Sequence, residues 1–140
     1  MVEPASLAGY SGTPLPKKLG IKEGSRVVLL GAPPGFDAWL GPLPAGVDLR
    51  TKARAKADVV LLFTASRAVL ERRLPGLRDV IHPAGAVWAA WPKKASKVPT
   101  DITEDTVRDV CLPLGLVDVK VCAIDPTWSG LKLVIRTELR

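Results

Sequence analysis

Residues that commonly carry chemistry are scarce in this chain. It has one histidine and two cysteines among 140 residues. Neither Cys111 nor Cys122 belongs to a Cys-x-x-Cys pair, so no zinc-type spacing exists. Both read as small buried hydrophobes in a reducing compartment rather than a disulfide or metal site. His82 stands in a His-Pro-Ala-Gly turn, which the element order puts at the amino end of a strand. A Ser-His-Asp or Cys-His constellation therefore cannot be assembled on one side, and no catalytic residue is assigned. Long apolar runs are missing too. The stretches Val59 to Phe63 and Ala84 to Trp91 fall far short of the roughly 20 residues of a membrane helix. Met1 to Tyr10 shows no basic stretch followed by an apolar core, so a cytoplasmic location is expected and a membrane partner is not.

What is present points to one folded unit. A 47% hydrophobic content and a mean hydropathy of +0.19 suit a chain with its own core. The expected division is an arm over residues 1–18 and a single domain over 19–140. Twenty Lys and Arg against fourteen Asp and Glu leave a net charge of +6. Arg50, Lys52, Arg54 and Lys56 alternate with uncharged residues. No nucleic-acid motif accompanies them, so a solvated connector is the plainer reading, and nucleic acid is not the expected partner.

The apolar run Arg26-Val27-Val28-Leu29-Leu30 enters the turn Gly31-Ala32-Pro33-Pro34-Gly35-Phe36, the way a mononucleotide-binding unit starts. Phe36 to Leu40 is expected to be a stunted helix, stopped by Gly41-Pro42 and Pro44. Val47 to Leu49 reads as a weak strand and Asp58 to Phe63 as a strong one. From Ser66, a plausible N-cap, Leu70, Leu74, Leu77 and Ile81 step along one helical face, with Pro75 expected to bend the helix or shift its register. Ala86 to Trp91 is the next strand. Asp101 or Thr103 caps a further helix that lines up Val107, Val110, Cys111 and Leu114 and ends at Gly115. Val117, Val119 and Val121 alternate with Asp118 and Lys120, and Leu131, Leu133 and Ile135 with Lys132 and Arg136. Such alternation predicts an antiparallel edge hairpin with one wet face.

The fold expected from this order is a shortened Rossmann-like α/β domain: a doubly wound, mostly parallel sheet with a C-terminal antiparallel hairpin. Right-handed crossovers gather Gly31 to Phe36, Thr64 to Ser66, Pro92 to Ser96 and the hairpin turn Asp125 to Gly130 along one rim. The candidate ligand-binding residues are Gly31, Pro33, Pro34, Gly35, Phe36, Ser66, Trp91, Lys93, Lys94, Asp125 and Trp128. Lys93 and Lys94 beside Trp91 offer two ammonium groups to a phosphate or carboxylate, while Asp125-Pro126 equally suits a plain turn. Trp39 and Trp88 read as packing residues, Trp39 also as a mark of a partner surface.

Leu19 to Gly31, the later strand-helix-strand block and the closing hairpin resemble a shortened class I S-adenosylmethionine-dependent methyltransferase from about Leu19 to Arg136. Gly9 to Leu15, the Gly31 to Phe36 loop, Trp91 to Ser96 and Val119 to Asp125 resemble a small bacterial family, domain of unknown function three thousand and fifty-two, which lends no activity. The methyltransferase resemblance implies a cofactor loop of the type Asp/Glu-x-Gly-x-Gly-x-Gly. Here Leu29 takes the acid's place, Gly31 and Gly35 remain, and Pro33 replaces the middle glycine, removing an N–H donor. Asp48 is the candidate for the acid that would hold the ribose. The strand-helix unit normally following is missing, because Arg50 to Ala57 is too short for one.

The function expected from these departures is a noncatalytic binding module, without a cofactor, for an anionic small molecule or a protein partner. A divergent S-adenosylmethionine-dependent methyltransferase and a basic nucleic-acid-binding domain are the alternatives. A homodimer through the weak second strand is a further expectation.

Overall fold

A computed structural model describes residues 13–53 and 56–140. Two apolar layers cover a six-stranded sheet in the order β2-β1-β3-β4-β6-β5. The strands are β1 (Arg26–Leu30), β2 (Asp48–Arg50), β3 (Ala57–Phe63), β4 (Ile81–Pro92), β5 (Leu116–Ala123) and β6 (Trp128–Ile135). The helices are α1 (Leu15–Lys18), α2 (Phe36–Leu40), α3 (Arg67–Val80) and α4 (Glu104–Cys111). Strand β1 pairs in parallel with β2 and β3, and β3 with β4. Strand β6 runs antiparallel to β4 and β5. The sheet is the mostly parallel, doubly wound one expected, closed by a hairpin.

Strands β1 and β3 are apolar on both faces because both faces are covered. On one face Val28, Val60, Leu62, Val87 and Trp91 meet Leu70, Leu74 and Leu77 of α3 and Val107 and Cys111 of α4. On the other, Val27, Leu61, Phe63 and Trp88 meet Leu15, Leu19, Phe36, Leu40 and Ile124. Trp88 is fully buried and donates from Nε1 to the Leu19 carbonyl at 3.1 Å, which ties the segment after α1 to the sheet. Residues 1–12 of the expected arm, including the Gly9 to Gly12 part of the quoted resemblance, lie outside the described residues, and so does Arg54.

Capping explains where the helices begin. The Ser66 hydroxyl accepts from Val69 N at 3.3 Å. Thr103, not Asp101, caps α4: its Oγ1 accepts from Thr106 N at 3.3 Å and its own N–H donates to Thr106 Oγ1 at 3.1 Å. Asp101 serves the other helix, accepting from Arg67 N at 2.7 Å. Helix α3 runs through Pro75 and keeps Leu70, Leu74 and Leu77 buried in the expected register. Proline costs this helix a backbone hydrogen bond on its exposed side without displacing the apolar face.

Two stretches depart from the alternation and turn patterns. The His82-Pro83-Ala84-Gly85 turn lies inside β4 as an irregularity: the partner of Ala57 is Ile81, while that of Val59 is already Ala86. In β5, Val119 is 55% and Val121 52% exposed, contrary to an inward row of valines. The register skips from Asp118↔Leu133 to Lys120↔Lys132. The extra residue is Val119, and such a bulge inverts the alternation beyond it. Cys122 thereby packs on the Trp88 face. Among the described residues no helix is long and apolar enough to cross a membrane.

Candidate functional site

The parallel strands end together. Leu30 is level with Leu62, and Phe63 with Ala90, so the turns after β1, β3 and β4 share one rim. Trp128 opens β6 opposite Pro92, and Lys93 N donates to the Thr127 carbonyl at 2.8 Å. The hairpin turn therefore joins the same rim, and the four expected loops converge. His82 is exposed at the opposite end of the sheet, where β4 begins.

Gly31 sits at the corner where β1 leaves the sheet. Its φ is +71°, and an added Cβ would lie 2.7 Å from the Phe63 carbonyl oxygen. Both a left-handed backbone and contact with the neighbouring strand exclude a side chain there. Pro33 is half-buried and Pro34 exposed. The Pro33 carbonyl accepts from Phe36 N at 3.1 Å, and Gly35, at φ +81°, precedes α2. Phe36 is buried, meeting Phe63 edge-to-face at 4.9 Å between ring centroids. Phe63 in turn meets Trp128 at 5.2 Å. Trp39 Nε1 donates to the Ile124 carbonyl at 2.8 Å, clasping α2 to the hairpin; its role is packing. Phe36 and Trp128 are among the sequence candidates, whereas Phe63, which joins them, is not, because as the last residue of a buried apolar strand it carries no local mark of its place.

Two expected polar ligands are used by the fold itself. Ser66 spends its hydroxyl on the α3 cap. Asp125 Oδ1 accepts from Thr127 N at 2.8 Å and Trp128 N at 2.7 Å, the self-bonded turn that Asp favours. Trp91, Lys93 and Lys94 face elsewhere on the rim. They line a cavity of about 620 Å³ on the side of α4, together with Lys97, Val98, Pro99, Thr100, Ile102 and Ser129. Lys97 has no motif to announce it.

Asp48 does not stand where a ribose-binding acid is needed. It opens β2 opposite Arg26, about 13 Å down the strands from the rim at some 3.3 Å per residue. Its Oδ2 accepts from Arg26 Nε at 3.3 Å and Arg50 Nε at 3.0 Å. Arg50 ends β2. Of the basic segment, Lys56 donates to the Asp79 carbonyl at 2.9 Å, as a structural connector would. Burial raises the Cys111 thiol to about 11, with Asp118 adding to the shift. Burial also raises that of Cys122. Both thiols stay protonated at neutral pH and are poor nucleophiles. Arg108 lies between Asp118 at 2.9 Å, Asp105 at 3.0 Å and Glu104. Hydrogen bonding to Asp118, then to Glu104, raises its pKa further.

The mostly parallel Rossmann-like sheet closed by an antiparallel pair has a methyltransferase-like fold. Solved structures agree on the fold. An S-adenosylmethionine-dependent methyltransferase from Aquifex aeolicus matches with TM-score 0.63 and 16% identity over 95% of this chain and 94% of that one. Aeropyrum pernix fibrillarin, solved with natively bound S-adenosyl-L-methionine, matches with TM-score 0.56 and 17% identity over 93% of this chain and 73% of its own. A ribosomal protein L11 methylase from Lactobacillus delbrueckii subsp. bulgaricus matches with TM-score 0.59 and 11% identity over 94% and 76%. No protein-family model and no curated protein matches the sequence.

These likenesses correct two expectations. Neither the noncatalytic module nor the absence of a cofactor is kept, because the solved structures sharing this fold are methyltransferases and fibrillarin among them holds S-adenosyl-L-methionine. At 11–17% identity these likenesses establish the fold, and what it hosts is decided at the site, where Pro33 and the missing acid are departures. The residues fit the cofactor unevenly. The corner at Gly31 has no room for a side chain and exposes its backbone, which suits the methionine end. The ribose end lacks its carboxylate, because β2 finishes in Arg50.

Proposed function

We propose that the chain is a divergent S-adenosylmethionine-dependent methyltransferase of the cytoplasm, from the small bacterial family its loop segments resemble. The observation that carries this reading is the Gly31 corner: a positive φ and a 2.7 Å approach to Phe63 O at the end of the first parallel strand. The approach to Phe63 keeps this corner free of a side chain and leaves its exposed backbone open to a ligand. The fold likeness to methyltransferases supports it over a length too great for a shared fragment.

Gly31 and Gly35 would present the backbone to the cofactor, with Pro33 and Pro34 as a rigid wall in place of a further glycine. Phe36, Phe63 and Trp128 would exclude water below. When bound, S-adenosylmethionine supplies an electrophilic methyl group; the chain's part is to hold, orient and desolvate. Neither cysteine is suited to act as a nucleophile, so catalysis would rest on proximity rather than on a covalent enzyme intermediate.

The test is calorimetric titration of the protein with S-adenosylmethionine. Saturable binding is expected for the wild type and loss of it for Gly31→Val, with circular dichroism confirming that the variant remains folded. If Gly31→Val does not fold, Gly35→Ala is the second variant, since its Cβ meets nothing within 4 Å and only the left-handed φ of +81° has to be borne. No heat with wild-type protein would sink the reading.

A further inference from the structure

We propose that the cavity beside the end of β4 is a second ligand site, separate from the glycine corner, for a small amphiphilic anion: an apolar or aromatic body carrying a carboxylate or phosphate. About 620 Å³ lies within the range of small-molecule pockets. Its floor is apolar, with Trp91 and Ile102 buried and Pro92, Val98 and Pro99 beside them. Its rim is cationic, from Lys93, Lys94 and Lys97.

The charge is unbalanced within the cavity. Among the described residues no carboxylate is within ion-pairing distance of Lys93, Lys94 or Lys97. The one acid in the lining, Glu104, is engaged by Arg108. Nearby Asp101 caps α3. Lys93, Lys94 and Lys97 bring three positive charges to one lining, which suits an anion whose apolar part the floor can take.

The wall is also fixed in place. Ser96 Oγ donates to the Lys93 carbonyl at 2.7 Å and accepts from Val98 N at 3.2 Å. Further along, Thr100 Oγ1 donates to the Ala65 carbonyl at 2.7 Å and accepts from Ile102 N at 3.0 Å. Between these staples, Lys97 has φ +62°, the sole positive φ of a non-glycine among the described residues. Glycine or asparagine adopts that conformation more readily. Lys97 is the left-handed residue that closes the short turn Lys94–Ser96, its N–H donating to the Lys94 carbonyl at 3.1 Å, and it adds a third lysine to the cavity lining.

The test uses the full chain and naphthyl phosphate, naphthoate, naphthol and inorganic phosphate, followed by calorimetry. Naphthyl phosphate or naphthoate should bind saturably, and whichever binds tighter identifies the anionic group preferred. Naphthol and inorganic phosphate should each bind about tenfold more weakly, and the triple variant Lys93→Ala/Lys94→Ala/Lys97→Ala should lose about tenfold for the preferred anion. Lys97→Gly, which relieves the backbone and removes the side chain with its charge, should also weaken it, while Lys120→Ala on the far edge strand should not. Equal binding by wild type and triple variant, or no saturable binding of either aromatic anion, overturns the proposal. S-adenosylmethionine titrated in parallel separates the two sites: its failure to bind would remove the methyltransferase reading and leave this one standing.

Discussion

Gly31 is held by two constraints at once, its positive φ and the carbonyl of Phe63. Gly31→Ala should therefore cost about 2 kcal/mol or more, read as a lowered midpoint in urea, whereas Gly24→Ala, with open space around it, should cost only the backbone part. Cys111 gives a pH prediction. Its folded-state pKa is raised from 9.0 to about 11, so the folded state keeps a proton that the unfolded chain gives up. The stabilisation is complete below about 9 and is lost as pH rises towards 11, with a slope up to about 1.4 kcal/mol per pH unit. Urea melts of wild type and Cys111→Val across that window should diverge from each other. Parallel curves would mean that the thiol is not the titrating group.

Among the elements, β2 is the weak point of the proposed cofactor rim. The order of strands and helices is legible in the sequence because double-faced apolar runs and 3.6-residue spacing are physical requirements of covered strands and packed helices. Ser66 marks the start of α3 for an equally local reason, whereas α4 stops at Cys111 and Gly115 closes the 3-10 turn Leu112–Leu114 that follows it. The bulge at Val119 is not legible, since nothing in Val-Asp-Val-Lys-Val says which residue will lose its partner. Nor is the position of Asp48, because a one- or two-residue error in a three-residue strand moves a side chain between the middle and the end. The cavity at β4 is half legible: Trp91, Lys93 and Lys94 are adjacent in sequence, while Lys97 and Ile102 reach it through a loop whose path depends on the Thr100 staple. Two predictions belong at this scale. Thr103→Ala should destabilise the protein by about 1 kcal/mol through loss of the reciprocal cap. Thr51→Asp, placing a carboxylate just after β2, should tighten S-adenosylmethionine about tenfold by supplying charge-assisted hydrogen bonds to a ribose; unchanged affinity would mean that the nucleoside does not lie over β2.

For the molecule as a whole, the parallel part of the sheet makes the rim and the antiparallel hairpin extends it. The glycine corner and the lysine-lined cavity stand at different strand ends along that rim, the former after β1 and the latter after β4. An aromatic run from Phe36 through Phe63 to Trp128 lies on the Trp88 face, while the cavity lies on the face of α4. The two proposed sites thus lie on opposite faces of the sheet. Amide-resolved NMR during titration with S-adenosylmethionine tests the central claim most directly. Saturable shifts are expected at Gly31, Ala32, Gly35 and Phe36, with those of Lys97 to Thr103 little changed. A spectrum left unmoved at the corner after β1, or shifts concentrated around His82 at the far end of the sheet, would contradict it.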